Sequence, residues 1–316
     1  MNDRKEIGEL AEFKSINDNL IKRLKGDIEE DRIIENCPMG KYTTFRAGGN
    51  AALLINPASM AELFSAVTIL KMAGVPYMVM GNGSNLLFKD EGYDGVVVRI
   101  GEGMDHVLVE QNVIFAEPGV KLSQLAKIAL EHSLTGLEFA SGIPGSLGGA
   151  VYMNAGAYGG EMKDVVLSTS SLRRNGMMRD RNRETLGFGY RTSAFQESDE
   201  IIIGVKILLK PGHPYLIQET MQDLLKKRNE KQPVNMPSAG SFFKRPEGHF
   251  AGKLIEDAGL KGLQVGGARV SPLHAGFVVN EGGATATDIL NLMKIVQETV
   301  KDKFDVNLEP EVRIIG

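Results

Sequence analysis

The sequence predicts an α+β protein of two or three domains, and three observations carry that expectation. Its 316 residues are enough for more than one core. Short apolar runs at 53–56, 75–80, 95–100, 113–117 and 201–208, most of them rich in Val and Ile, read as strands. Among and after them lie segments whose apolar residues recur at helical spacing, and Lys210-Pro-Gly212 marks a boundary before the last of these.

Residues 1–30 are charged, with Ile7, Leu10, Phe13, Ile16, Leu20, Ile21 and Leu24 near helical spacing, which predicts one or two amphipathic helices. Ser59-Met-Ala-Glu62 is a capping box that opens a helix to Ala73, so 52–80 form a β-α-β unit. Ser123 is the expected cap of a helix bearing Leu125, Ile128 and Ala129 and ending by Gly136. Tyr215 to Arg228 reads as a helix with Ile217, Met221, Leu224 and Leu225 on one face. Its Lys226, Lys227 and Arg228, with Lys231, form either a solvated helix end or an anion site. A last helix starts near Thr287 and buries Ile289, Met293, Val296 and Val300, before a closing strand at 312–315.

A formal charge of −4 argues against bulk nucleic-acid binding, which favours basic domains. No apolar run approaches the roughly 20 residues of a membrane-spanning helix, and the charged N-terminus lacks the apolar core of a signal peptide. The single cysteine, Cys37, excludes an intramolecular disulfide and fits a reducing compartment. The five histidines show no metal-ligand spacing, so no metal is expected.

The stretch 141–160 holds seven glycines among apolar residues and almost no charge, unlike a solvated linker. Either its backbone lies against a large ligand such as a phosphate-bearing cofactor, or it is a sharply turning structural segment. Gly81-Asn-Gly-Ser-Asn-Leu-Leu87 follows a strand and can turn successive N–H groups toward an anion. It lacks the Gly-Lys-Ser/Thr ending of a P-loop, and it is not the G-x-G-x-x-G of a Rossmann unit. Two backbone cradles suggest one elongated ligand, a dinucleotide.

Thr44-Phe-Arg-Ala-Gly-Gly49, the 81–87 nest, Gly142-Ile-Pro-Gly-Ser-Leu-Gly-Gly149 and Asn154-Ala-Gly-Ala-Tyr-Gly159 occur in that order. Tyr190-Arg191, Gly240-Ser-Phe-Phe243, His274-Ala-Gly-Phe277 and Glu309-Pro-Glu-Val-Arg313 follow. The ordered set, from about residue 38 to the C-terminus, resembles the UDP-N-acetylenolpyruvoylglucosamine reductase family of peptidoglycan precursor synthesis. The resemblance implies the FAD-binding fold of the vanillyl-alcohol oxidase type in two subdomains, plus a smaller α+β substrate domain. On that basis 31–98, completed by 305–316, and 99–210 are the FAD subdomains, 211–304 the substrate domain and 1–30 a helical extension.

The resemblance further implies non-covalent FAD with NADPH as co-substrate. It places Arg46, Gly81, Asn82, Gly83, Ser84, Asn85, Leu86, Ser141, Gly142, Ile143, Pro144, Gly145, Ser146, Gly148, Asn154, Ala155, Gly156 and Arg313 at the cofactor. Arg191 and Glu311 match the residues that stabilise charge beside the substrate carboxylate, and Ser241 the residue that protonates the α-carbon. Arginine suits a carboxylate fork, whereas glutamate there is either protonated or positions the arginine. Tyr158, Arg228 and Arg245 are the expected contacts to the UDP-sugar, and the enzyme is expected to be cytoplasmic and monomeric. Longer family members carry a clamping tyrosine between the catalytic arginine and serine; the short interval from Arg191 to Ser241 resembles the subtype without it. The residues leave two alternatives open, another non-covalent flavin oxidoreductase of this fold and a non-catalytic nucleotide-sugar binding protein.

Overall fold

A computed structural model describes residues 16–316. The expected N-terminal helices fall partly outside the described residues. Within them one helix, Asp18–Leu24, is capped by the Asn17 side chain and buries Leu20 and Leu24. The described chain forms two compact units. One holds Ala52–Asn82, Gly95–Leu225 and the segment ending at Asn36; the other holds Cys37–Ala51, Gly83–Asp94 and Lys226–Gly316.

In the first unit a four-stranded sheet runs Ile33–Pro38, Asn50–Ile55, Tyr93–Arg99, Tyr77–Met80 in spatial order. The expected β-α-β elements are present, but the strands on either side of the helix are not neighbours. Tyr93–Arg99 lies between them and pairs in parallel with Tyr77–Met80. Its Val96, Val97 and Val98 are all fully buried, and a strand apolar on both faces belongs in a sheet interior. The intervening helix, Met60–Ala73, begins at Ser59, which accepts from the Glu62 N–H, and stops at left-handed Gly74. The Glu62 carboxylate bonds the Ala58 N–H rather than completing the box on Ser59.

The same unit carries an antiparallel sheet in the order Met178–Asn182, Val166–Leu172, Ile201–Leu208, Val113–Ala116, Val107–Glu110. Helices Leu122–Glu131 and Leu147–Tyr152 pack on it, burying Leu125, Ala129, Leu147 and Val151 with Ile114, Val205 and Ile207. Ser123 is not the cap; Lys121 is, without a side-chain bond. Lys121 bridges Ser146 in antiparallel fashion, and the flanking Leu122 N–H to Gly145 and Leu147 N–H to Val120 bonds hold it extended. The helix can therefore begin only at Leu122. Of the face expected along Pro214–Lys231, only Ile217 is fully buried; Met221 is half-buried and Leu225 exposed.

The second unit is built on the antiparallel order Ser238–Ser241, Phe277–Asn280, Ala268–Val270, Gln264–Val265. Helices Ala251–Asp257 and Ala286–Phe304 cover it, and the second buries Ile289, Met293, Val296 and Val300 as expected. Thr285 and Asp288 form a capping box there, and the Asp90 carboxylate accepts from the Ala286 and Thr287 N–H groups. Arg313–Ile315 pairs in parallel with Leu86–Phe88, tying the chain's end to the nest.

Candidate functional site

In the first unit the glycine-dense stretch has two jobs. Several of its glycines are there for packing. A Cβ on Gly148 would press on Pro118, one on Gly160 on the Phe139 ring, and one on Gly156 on Gly160 and Glu161 across a hairpin. Gly81 is different, because its missing Cβ leaves room for the Ser146 hydroxyl. Ser146 is 1% exposed, and its Oγ makes no hydrogen bond even though the residue stands at the start of helix Leu147–Tyr152. A buried hydroxyl without a partner, set against a backbone groove, is a donor suited to a ligand, since such groups are otherwise satisfied. The nest and the Gly142–Gly149 loop, distant in sequence, meet at this point.

Asn154 and Arg191 come together in the same unit. Gly156–Ala157 pairs with Gly160–Glu161, so Tyr158 and Gly159 form a two-residue hairpin turn with φ of 53° and 90°. Positive φ at both positions is the primed turn that usually takes Asn-Gly, and the bulky Tyr158 held there is 44% exposed at the tip. Gly189 and Thr192 bridge across a second tight turn, placing Arg191 at its third position with φ 55°. The Arg191 guanidinium donates to the Gly156 carbonyl at 3.4 Å and stacks on Tyr190. The arginine is thus hydrogen-bonded to the hairpin that carries Tyr158.

The second unit gathers the other half of the expected set. Gly83, at φ 62°, accepts from the Thr44 N–H. The carbonyls of Phe45 and left-handed Arg46 are held by the buried Asn280 amide at 3.0 and 3.3 Å. The Asn280 Oδ1 in turn accepts from Gly282 and Ala284. Asn85 donates to the Glu311 carbonyl at 3.0 Å and its own carbonyl accepts from Arg313, so the nest adjoins Glu311 directly. Asn280 and the unpartnered hydroxyl of Thr43 did not stand out in the sequence, and Thr44 entered only as the first residue of a motif. Their polar character is unremarkable until burial makes it costly.

Ser241 is aimed by a bulge. Ser238 faces Val279 and Ser241 faces Phe277, so the serine strand carries one extra residue, and Gly240 at φ 79° absorbs it. Bulges of this kind re-aim a side chain at the edge of a ladder. Directly after it, the Phe242 carbonyl accepts from the Glu311 N–H at 2.8 Å and Lys244 donates to Glu309. Ser241 and Glu311 therefore sit on adjacent extended segments of one unit. Arg228 is half-buried and the exposed Arg245 stacks on Phe250 at 4.6 Å, both in this unit. His274 accepts the Gly276 N–H on Nδ1 and packs on Phe277, and burial pushes its pKa down.

Residues 232–315 match the C-terminal domain of UDP-N-acetylenolpyruvoylglucosamine reductase, and residues 51–181 match an FAD binding domain. The chain is 47% identical over 297 residues to the reductase of that name from Caldanaerobacter subterraneus subsp. tengcongensis, covering 94% of this chain and 98% of the relative. The chain belongs to the UDP-N-acetylenolpyruvoylglucosamine reductase family. The family enzyme of Alkaliphilus oremlandii is 48% identical over 295 residues, 93% of this chain and 97% of its own. The crystal structure of the family member from Thermus caldophilus superposes with a TM-score of 0.77 at 34% identity, covering 90% of this chain and 98% of that one. The fold is thus the FAD-binding type expected, with mixed α and β elements. The residues of the first unit fit that cofactor: the Gly81 groove and the unpartnered Ser146 hydroxyl supply the room and a donor that a pyrophosphate takes.

Proposed function

We propose that Arg191, Ser241 and Glu311 carry the turnover of this family in this chain. As a member, the chain reduces UDP-N-acetylglucosamine enolpyruvate to UDP-N-acetylmuramate in peptidoglycan precursor synthesis, using FAD and NADPH as reductant. Bound FAD supplies the hydride that reaches the β-carbon of the enolpyruvyl group. The protein's residues must then manage negative charge at the α-carbon and deliver one proton to it. The observation that carries the assignment is the Phe242–Glu311 pairing beside the Gly240 bulge, which puts a hydroxyl and a carboxyl on neighbouring segments.

Ser241 Oγ gives its proton to the α-carbon, a transfer feasible for a weak acid because the acceptor is strongly basic and the donor is held in place. Arg191 forks onto the substrate carboxylate, where the charge grows. Glu311 is the second residue for that charge, acting either as a protonated donor or by positioning the arginine. Gly81 to Leu86, Ser141 to Ser146 and Gly148 hold the cofactor's pyrophosphate side. Arg46, the backbone from Asn154 to Gly156, and Arg313 would serve the rest of the cofactor, and Tyr158, Arg228 and Arg245 would take the UDP-sugar. The proposed division follows: 31–98 with 305–316, and 99–210, serve FAD, and 211–304 the substrate.

The enzyme works as a cytoplasmic monomer on a small molecule, without nucleic acid or membrane. The net charge of −4 and the single cysteine support this reading. Among the described residues no helix is long and apolar enough to cross a membrane.

Anaerobic spectroscopy tests the reading in two steps. NADPH is expected to bleach the flavin, and the enolpyruvyl sugar nucleotide to restore its colour. A protein loaded with FAD that does not bleach, or that bleaches and is not recoloured, contradicts it. The cradle has its own test. Gly81→Ala displaces the Ser146 hydroxyl and is expected to weaken FAD binding about tenfold, roughly 1.4 kcal/mol, measured by titrating the apoprotein. Unchanged affinity would remove Ser146 from the pyrophosphate contacts.

A further inference from the structure

We propose that Asn154 is a positioning residue for Arg191: its buried amide fixes the distance between the arginine turn and the Tyr158 hairpin. The inference rests on the reading of Arg191 as the carboxylate fork, and replaces a direct cofactor contact by the Asn154 side chain.

The Asn154 side chain is wholly consumed inside the first unit. Nδ2 donates to Glu161 Oε2 at 2.6 Å and to the Gly189 carbonyl at 2.9 Å, and Oδ1 accepts from the Lys163 N–H at 2.9 Å. The residue is 0% exposed, so water cannot replace any of these bonds. Glu161 closes the hairpin that presents Tyr158, and Gly189 opens the turn that presents Arg191. One planar amide therefore spans both loops, reaching a carbonyl thirty-five residues away in sequence.

Three non-glycine residues here, Asn154, Tyr158 and Arg191, have φ of 43°, 53° and 55°. Left-handed conformations at such residues cost energy and persist only where surroundings over-determine them. Asparagine tolerates that region well, but tolerance alone would not require the amide to bond both loops. Further ties of the arginine turn run to the helix end: Ser193 Oγ and Gln196 Nε2 donate to the Tyr152 carbonyl, and Gln196 Nε2 also donates to the Arg191 carbonyl. Asn154 joins the turn to the hairpin through its buried amide, and Arg191 adds a longer 3.4 Å bond.

Asn154→Asp keeps the size and the Lys163 acceptor but turns both donors into acceptors, one of them facing the Glu161 carboxylate. Asn154→Gly keeps the left-handed backbone and deletes the clip, so it carries the test if the aspartate variant folds poorly. Both are expected to lower kcat about tenfold or more while FAD affinity stays within about twofold, because the lost term is orientation at the reacting group. In the apoprotein, amide exchange at Tyr190, Arg191 and Thr192 is expected to accelerate. In an Arg191→Lys background the same substitutions are expected to add less than about twofold, since residues acting through one another are not additive.

Full multiplication of the two losses, or unchanged kcat and exchange in both Asn154 variants, overturns the positioning role. If Arg191→Ala itself retains turnover, the assignment of Arg191 falls first, a separate and recognisable outcome.

Discussion

Replacing Ser241 by alanine is expected to leave flavin bleaching by NADPH at its native rate while slowing turnover of the enolpyruvyl sugar nucleotide by about 10²–10⁴-fold, the usual worth of a positioned proton donor. The reason is local. Ser241 is exposed at the end of its strand, and the backbone bonds around it, Phe242 to Gly276 and Glu311 to Phe242, do not involve its hydroxyl. The substitution should therefore cost less than about 0.5 kcal/mol of stability. Stopped-flow measurement of the two half-reactions separates the cases: equal slowing of both would mean a general distortion, and no slowing of either would dismiss Ser241 as the donor. Ser241→Cys, which keeps an ionisable proton at nearly the same place, should recover part of the rate. Glu311 can be judged on the same assay. Glu311→Gln retains a donor and should lose less than Glu311→Ala if the protonated form is what acts; equal losses would favour a carboxylate.

The parts of this arrangement that could be read along the chain are those set by local pattern. Ile201–Leu208 appears with its expected bounds because an Ile- and Val-rich run and the following Pro211 define it without reference to partners. The helix Met60–Ala73 likewise needs only Ser59 and Gly74. What escaped reading depends on residues far apart. The insertion of Tyr93–Arg99 into the first sheet is decided by burial on both strand faces, which periodicity cannot report. The Ser241 bulge exists only relative to Phe277–Asn280. The Gly142–Gly149 loop shows the same limit: counting glycines pointed to a ligand, yet Gly148 is small because Pro118 is in the way. The ordered motifs identified the family and its cofactor, but the division between residues that touch a ligand and residues that hold the loops needed the folded geometry.

The largest stability effect is expected at Glu200, in a loop Ser198-Asp-Glu200 that reads locally as solvated. Its side chain is 2% exposed and receives a bidentate fork from Arg181 at 2.9 and 2.8 Å, a bond from Arg179 at 3.0 Å and the Ser171 hydroxyl at 2.8 Å. The Arg181 guanidinium beside it, despite the opposing effect of burial, holds the carboxyl down at about 2. Glu200→Gln at neutral pH should cost about 3 kcal/mol, because it strands a guanidinium whose side chain is only 10% exposed. The sign of the pH dependence follows from the lowered value. A carboxyl near 4.5 when unfolded and about 2 when folded contributes stability that is complete above pH 4.5 and lost as pH falls through 2. The gap between wild type and Glu200→Gln should therefore be widest at neutral pH and narrow between pH 4.5 and 2, as followed by urea denaturation. A constant gap would mean that packing, not charge, is what the substitution removes. Replacing Arg181 by methionine in the same protein should recover part of the loss, since it is the stranded charge that is costly. Arg181 also stacks on Phe195, four residues beyond Arg191, so this buried pair steadies the segment that follows the arginine turn. Glu200→Gln should accordingly raise amide exchange around Phe195 before the unit melts.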